Sequence, residues 1–315
     1  GLLRLILSAA AAGALATAGV GCSKQSTPGL AFATPEAAVD SVVAALRTSD
    51  RPQLEKIFGS DSDQLLSSGD AVADSNGAEA FLEHYDQKHQ LTTVEDGVVN
   101  LEVGPKDWPL PIPIVKDSDG WRFDTAAGLD EMLNRRIGRN ELATIETCRA
   151  LADAEQDYYA LNPMGLNPPA YAAQLFSSDG KRDGLYWPVA DGEPQSPIGP
   201  LLADAAAEGY RRSTTGESNP YHGYYFRLLE NQGKYAPGGK MSYRTGGNLT
   251  KGFGVVAYPA DYGNSGIMTF IINQQGIVYQ RDLGRDTAAK AKSMTEFNPD
   301  PNWKVVEEVT VEIAE

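Results

Sequence analysis

Between residues 219 and 284 the chain repeats one pattern: a run rich in aromatic and β-branched residues, then a turn rich in glycine. The runs cover 221–230, 253–258 and 267–282. Side chains of this kind suit a pleated, half-buried surface, and glycine takes positive φ without a Cβ clash. A small antiparallel sheet is therefore expected here, and the rest of the chain has to cover it. If strand alternation starts at Tyr221, then His222, Tyr224, Phe226 and Leu228 share one face while Tyr221, Tyr225, Arg227 and Leu229 share the other. No catalytic motif lies in these runs.

The segments before the sheet read as helices first and strands second. Thr34-Pro35-Glu36 offers an N-cap, a proline for the first helical position and an acid for the positive first turn, followed by the apolar stripe Val39, Val42, Val43, Leu46. A second helix with Asp50 as cap and a third over 78–88 follow. From Leu91 the hydrophobic period changes to 2, predicting strands near 91–103, a proline-bearing strand over 108–115, and Trp121-Arg122-Phe123 paired across the turn at 117–120. Residues 128–161 are predicted to be helical in two pieces divided at Gly138. The segment 162–219 is irregular apart from an alanine-rich helix over 198–209, and so long a connection wraps a domain or carries function. The fold class is α+β: N-terminal helices on a curved antiparallel sheet, then a long helix, an irregular connection and a C-terminal antiparallel sheet.

The N-terminus bears on the address. Arg4 precedes an apolar, small-residue run ending at Val20, which suits a secretory signal better than a membrane span. Ala18-Gly19-Val20-Gly21-Cys22-Ser23 resembles the lipobox of bacterial lipoproteins, with Gly19 where that pattern has leucine, and the resemblance implies lipidation at Cys22. The expected organisation is a signal peptide over 1–22, a linker over 23–31, an N-terminal α+β domain over 32–126 and a C-terminal α+β domain over 127–315. The expected location is the periplasm or a membrane to which a lipid anchors the chain.

Longer resemblances come from the second half. The stretches DGLYWP, SPIGPLLADAAAEGY, NPYHGYYFRLLENQG, KGFGVVAYPADYGNSGIMTFIINQQGIVYQRDLG and NPDPNW resemble the bacterial family catalogued as domain of unknown function 2950, over 32–303. That resemblance implies an exported envelope protein and no particular reaction. The opening FATPEAAVDSVVAALRTSDRPQLEKIF with DGWRFD resembles nuclear-transport-factor-2-like domains. The order of long helix, irregular connection, GYYFRL, VVAYP and GIMTFIINQQGIVY is similar to the globular part of type IV pilins and pseudopilins.

The chain is 315 residues long with a formal charge of −15, which argues against a nucleic-acid surface because phosphate binding needs a basic footprint. No metal or cofactor is expected. His84 and His89 fall about 140° apart on a helix, the turn at 117–120 has Gly128 where a calcium loop needs glutamate, and Gly238-Gly239-Lys240 continues into Met241 where a phosphate loop needs Ser or Thr. Cys148 reads as a small buried helix residue. Arg135, Arg136 and Arg139 read as a solvated helix face.

His222 is the residue that could carry chemistry, either as a ligand-binding or proton-transfer group among aromatics or as a packed imidazole; packing is preferred. Tyr186, Trp187, Tyr221, Tyr224 and Tyr225 belong to a dense aromatic group that could stack a sugar or hold a peptide. The expected partner is an envelope protein or a cell-wall glycan, and the role is interaction or assembly. The competing expectation is an envelope hydrolase using His222 with Asp261 or Asp282.

Overall fold

The computed structural model describes residues 27–60, 62–190, 192–210 and 219–307. The expected signal segment and Cys22 lie outside the described residues. Of the expected tether, residues 27–30 lie along the second helix, with Thr27 N donating to Ser60 Oγ and Leu30 N to the Lys56 carbonyl.

The fold is α+β. Among the described residues four helices come first: α1 (Pro35–Arg47), α2 (Arg51–Phe58), α3 (Ser62–Leu66) and α4 (Ala71–Gln87). Thr34 Oγ1 caps α1 and Asp50 caps α2, as their sequences predict. The fourth starts earlier than its apolar stripe suggests, because Asp70 Oδ1 accepts from Val72 N and Ala73 N and so begins the helix at Ala71. A meander follows: β1 (His89–Glu95), β2 (Val98–Val103), β3 (Trp108–Pro109), β4 (Ile114–Lys116) and β5 (Trp121–Phe123), ordered β1-β2-β4-β5 with β3 also on β2. The proline-bearing strand is in fact two short ones, since Pro109, Pro111 and Pro113 cannot donate to a ladder. Between them Ile112 is buried. Lys116 pairs with Trp121 across the predicted turn.

The helix α5 (Thr125–Leu161) is one continuous element, not two. Glycine at position 138 costs roughly 1 kcal/mol, and burial of Ile137 before it and of Thr144, Ile145, Cys148 and Leu151 after it outweighs that cost. Burying one large aliphatic side chain contributes about 1.5–3 kcal/mol. The first turns, through Leu129 and Met132, pack on the N-terminal core of Val39, Val42, Ile57, Phe58, Leu101, Ile114 and Phe123. Its later turns cover the central sheet.

After the irregular connection and α6 (Gly199–Ala207) come β6 (Tyr224–Leu229), β7 (Asn231–Gln232), β8 (Met241–Ser242), β9 (Arg244–Thr245), β10 (Asn248–Leu249), β11 (Gly254–Pro259), β12 (Met268–Asn273), β13 (Tyr279–Asp282), α7 (Thr287–Ser293), β14 (Glu296–Phe297) and β15 (Lys304–Val305). The three predicted runs supply β6, β11, β12 and β13 of an antiparallel sheet ordered β15-β13-β12-β11-β6, with β6 at one edge. Alternation divides it. Val255, Ala257, Phe270 and Ile272 meet α5, whereas Val256, Tyr258 and Ile271 meet α7, Phe297 and Trp303. Strands β11 and β12 are thus buried on both faces, which explains their unbroken apolar character.

Candidate functional site

The site is built around the entry to β6. Tyr221 N donates to the Tyr224 carbonyl at 2.9 Å and Tyr224 N to the Tyr221 carbonyl at 3.1 Å. The two residues between them both take positive φ, 48° at His222 and 74° at Gly223, the pattern of a type I′ two-residue hairpin turn. His222 is therefore not on the strand face it would share with Tyr224 by alternation. The strand begins at Tyr224, and the turn re-aims the two residues before it. A Cβ at position 223 would lie 2.7 Å from Asn140 Nδ2 and 2.9 Å from Ser265 Cβ, so the turn needs glycine there for space as well as for φ.

A buried carboxylate ties this turn to the N-terminal half. Asp70 Oδ2 accepts from Gly223 N at 2.9 Å and from the Tyr210 hydroxyl at 2.8 Å, while its other oxygen caps α4. The Tyr210 hydroxyl in turn accepts from His222 N at 3.3 Å. Burial, then the bond to Asp70, raises the Tyr210 phenol above its ordinary range. The His222 ring lies against Tyr221 and Tyr210, with Nε2 3.4 Å from Glu208 Oε2. The acids that the sequence offers as partners are engaged elsewhere: Asp261 Oδ2 accepts from Asn264 Nδ2, and Asp282 from the Tyr262 hydroxyl.

Beside the turn opens a cleft of about 1100 Å³. One wall is Phe176 and Tyr186, rings at 75° to each other, with the rim 177–182; the other is α6 with Tyr210 and Tyr221, also at 75°. Leu151, Trp187, Ile198 and Phe226 supply an apolar floor. Arg182 stands over Trp187, 5.4 Å from the ring centroid, and its carbonyl accepts from the Tyr158 hydroxyl. Lining hydroxyls are engaged locally: Thr147 Oγ1 donates to the Ala143 carbonyl, Ser177 Oγ to that of Gly184, and Ser178 Oγ to Asp183.

Of the aromatic candidates, Tyr186, Trp187 and Tyr221 come together in this cleft. Tyr224 and Tyr225 do not line it. Tyr224 is fully buried, its hydroxyl donating to the Met268 carbonyl and its ring so close to Gly266 that a Cβ there would meet the phenol oxygen at 2.0 Å. Tyr225 faces the opposite side of the sheet, against Tyr258. Tyr210 and Phe176 join the site without having been singled out in the sequence; Tyr210 follows the alanine-rich helix by three residues, and only its position after α6 could have suggested it. Among the described residues no group of three His, Cys, Asp or Glu is placed to hold a metal ion. His84 and His89 bond the backbone carbonyls of Ala80 and Tyr85, and burial pushes the Cys148 thiol up to about 12.

All of this geometry falls inside one matched region: the model of the family described as "Protein of unknown function (DUF2950)" matches residues 30–306. The chain belongs to that family. No curated protein and no solved structure matches it. The DUF2950 region runs from before α1 to the end of β15 and so contains the Asp70–Gly223 link, the His222 turn and the aromatic cleft.

The His222 turn gives the DUF2950 chain a clean substitution test. A non-glycine residue in the left-handed region costs about 1 kcal/mol, and a β-branched one more. His222→Gly is expected to stay within about 1 kcal/mol of the parent in urea unfolding, because lost ring contacts offset relieved strain. His222→Val is expected to lose about 2 kcal/mol or more. Equal losses in the two variants would contradict a turn-imposed conformation.

Proposed function

We propose that this DUF2950 protein is an exported, non-catalytic envelope component that holds part of a partner, an envelope protein or a cell-wall glycan, in its aromatic cleft. The observation that carries the reading is the cleft itself: paired aromatic walls, an apolar floor, a polar rim, and no lining hydroxyl bonded to an imidazole among the described residues. Apolar concavities with a few placed polar groups are the usual form of a binding site. Export and lipid attachment at Cys22 belong to the same reading and are supported by the apolar leader and the lipobox-like sequence. Among the described residues no helix is long and apolar enough to cross a membrane.

The likenesses to known folds are part of the proposal too. Helices packed on an antiparallel meander support the nuclear-transport-factor-2-like reading of 32–126, and α5 lying on the central antiparallel sheet supports the pilin-like reading of 127–315. A second functional reading, a hydrolase of cell-wall material, is favoured by one contact, the approach of His222 Nε2 to Glu208 beside the cleft.

Tyr221→Ala and His222→Gly separate the two. The first removes a wall of the cleft, and loss of a buried interface aromatic commonly costs ~2 kcal/mol or more in binding. The second removes the imidazole and keeps the turn. A binding role predicts that Tyr221→Ala loses partner recovery from envelope extracts by tenfold or more while His222→Gly retains it. Hydrolysis of cell-wall fragments by the parent, abolished in His222→Gly with melting unchanged, would establish the hydrolase instead.

A further inference from the structure

The helix beneath the cleft carries a titratable group that a binding role leaves unused. Glu155 follows Leu151 of the cleft floor by one turn of α5, so the two share a face of the helix. It is fully buried. Its helix neighbours Leu151, Ala152, Ala154 and Tyr158 and its partner Ala172 belong to the apolar cluster that also contains Trp187 and Ile198 of the floor. Oε2 accepts from Ala172 N at 2.8 Å, and Oε1 has no partner among the described residues.

That bond fastens more than one residue. Ala172 stands near the start of the stretch 171–187, which carries the first wall and rim of the cleft. One turn after Glu155, α5 grips the same stretch again, where the Tyr158 hydroxyl donates to the Arg182 carbonyl at 2.6 Å. Many of its remaining backbone bonds are internal: Ser177 N donates to the Tyr186 carbonyl, Tyr186 N to that of Leu175 and Leu185 N to that of Gln174. A segment bonded to itself, and to its support through a few side chains, is of the kind that opens as a unit below the cost of global unfolding.

The groups set against Glu155 do not favour its charge. Tyr158 of α5 and Tyr171 of the connection are phenols that its charge pushes up, Phe253 and Val255 from the central-sheet side are apolar, and no cation among the described residues pairs with it. Arg182 and Asp183 stand beside the Tyr158 hydroxyl. The single N–H of Ala172 favours the carboxylate but cannot replace the hydration of a full charge, so burial dominates and pushes the carboxyl up to about 8.

We infer that Glu155 is a pH-sensitive latch on the cleft: as the neutral acid it keeps the stretch 171–187 seated on α5, and its ionisation favours a state in which that wall has come away and the carboxylate is hydrated. Opening releases one proton to solvent. The closed form keeps that proton up to about 8, whereas a hydrated carboxyl loses it from 4.5 upward, so opening is favoured as pH rises between those values. In consequence the cleft holds an occupant better in mildly acidic than in alkaline medium. That consequence rests on the binding role proposed above and adds its regulation.

The test is amide hydrogen exchange of the full chain, followed by NMR between about pH 5 and 7.5 and corrected for intrinsic rates. Ala172 and Tyr186 report the wall, and Val256 and Ile271 report the central strands. The wall amides are expected to open at a lower free energy than the strand amides, with protection falling ~10-fold per pH unit. In Glu155→Gln, which keeps the acceptor for Ala172 N and cannot ionise, wall protection is expected to be flat with pH. In Tyr158→Phe, which removes only the second grip, it is expected to be lower throughout and to keep its pH dependence. If Glu155→Gln does not fold, the slope of the parent and of Tyr158→Phe decides.

Wall amides that open only at the free energy of Val256 and Ile271, or protection that does not change with pH, would overturn the latch. So would a slope that survives in Glu155→Gln. The measurement involves no partner, so its failure leaves the binding role to the Tyr221→Ala comparison, and failure there leaves the latch standing.

Discussion

The melting temperature of this protein is expected to fall steeply as pH rises from 5 to 7.5, and the Glu155→Gln variant is expected to lose most of that slope. Glu155 projects from α5 into the core between the helix and the central sheet, fully buried. One carboxyl oxygen accepts from Ala172 N at 2.8 Å and the other has no partner among the described residues. Burial pushes the carboxyl up to about 8 from an ordinary 4.5, against the bond from Ala172, which lowers it. Between those two values the folded chain keeps a proton that the unfolded chain has released. Stability is therefore fully present below the unfolded value and is lost as pH climbs toward the folded one.

At about 1.4 kcal/mol per pH unit, the loss between pH 5 and 7.5 comes to about 3 kcal/mol, or roughly 6–12 °C for a chain of this size. Glutamine keeps the acceptor for Ala172 N and cannot ionise. Parallel pH profiles for parent and variant, followed by calorimetry, would contradict the assignment.

The second large effect is expected at Arg136, where the two halves are joined. Its guanidinium donates to the carbonyls of Gln64 and Leu65 and to Asn264 Oδ1. Asn264 then passes the connection on, through Nδ2, to the Ser67 carbonyl and to Asp261. One side chain of α5 thus fastens the end of α3 to the turn between β11 and β12. Burial lowers its proton affinity below the ordinary guanidinium value, but it stays charged at any physiological pH.

Removing it leaves the Gln64 and Leu65 carbonyls with no other donor among the described residues, so Arg136→Ala is expected to lose about 3 kcal/mol in urea unfolding. Arg136→Lys is expected to recover only part of this, because one ammonium cannot span both carbonyls and the amide. A loss below about 1 kcal/mol in the alanine variant would show that the joint is held elsewhere.

These two residues also show where sequence reading succeeded and where it stopped. The central strands were legible because burial on both faces requires unbroken apolar runs, and Val255, Val256, Ile271 and Ile272 supply them. The caps Thr34 and Asp50 were legible because a cap is a local device, completed within three residues. Arg136 was misjudged as part of a solvated face: its partners stand 71 to 128 residues away, and nothing in helical spacing reports them. Asp70 escaped notice for the same reason, since its local role is that of a cap and its bonds to Tyr210 and Gly223 span 140 and 153 residues.

His222 was misplaced by carrying a period of 2 through a turn. The signal against it was weak, because Gly223 permits a two-residue turn but His222 stands where such turns usually carry Asn or Asp. The division of the long helix at Gly138 failed because tertiary packing on both sides overrode a weak local propensity. The cleft was foreshadowed only as a long irregular connection rich in aromatics. Its walls come from segments 176–187, 198–210 and 219–226, which sequence order keeps apart and the fold brings together.

The central claim is that the aromatic cleft is where a partner sits, and site-specific photocrosslinking in intact bacterial cells tests it most directly. A benzophenone side chain is placed at Leu202 or Tyr186, both lining the cleft, and at Val94, which is exposed on β1 in the N-terminal half. The account predicts discrete crosslinked adducts from Leu202 and Tyr186 that disappear when Tyr221→Ala is combined with them, and none from Val94. Adducts from Val94 equal to those from the cleft, or cleft positions that give no adduct at all, would contradict it.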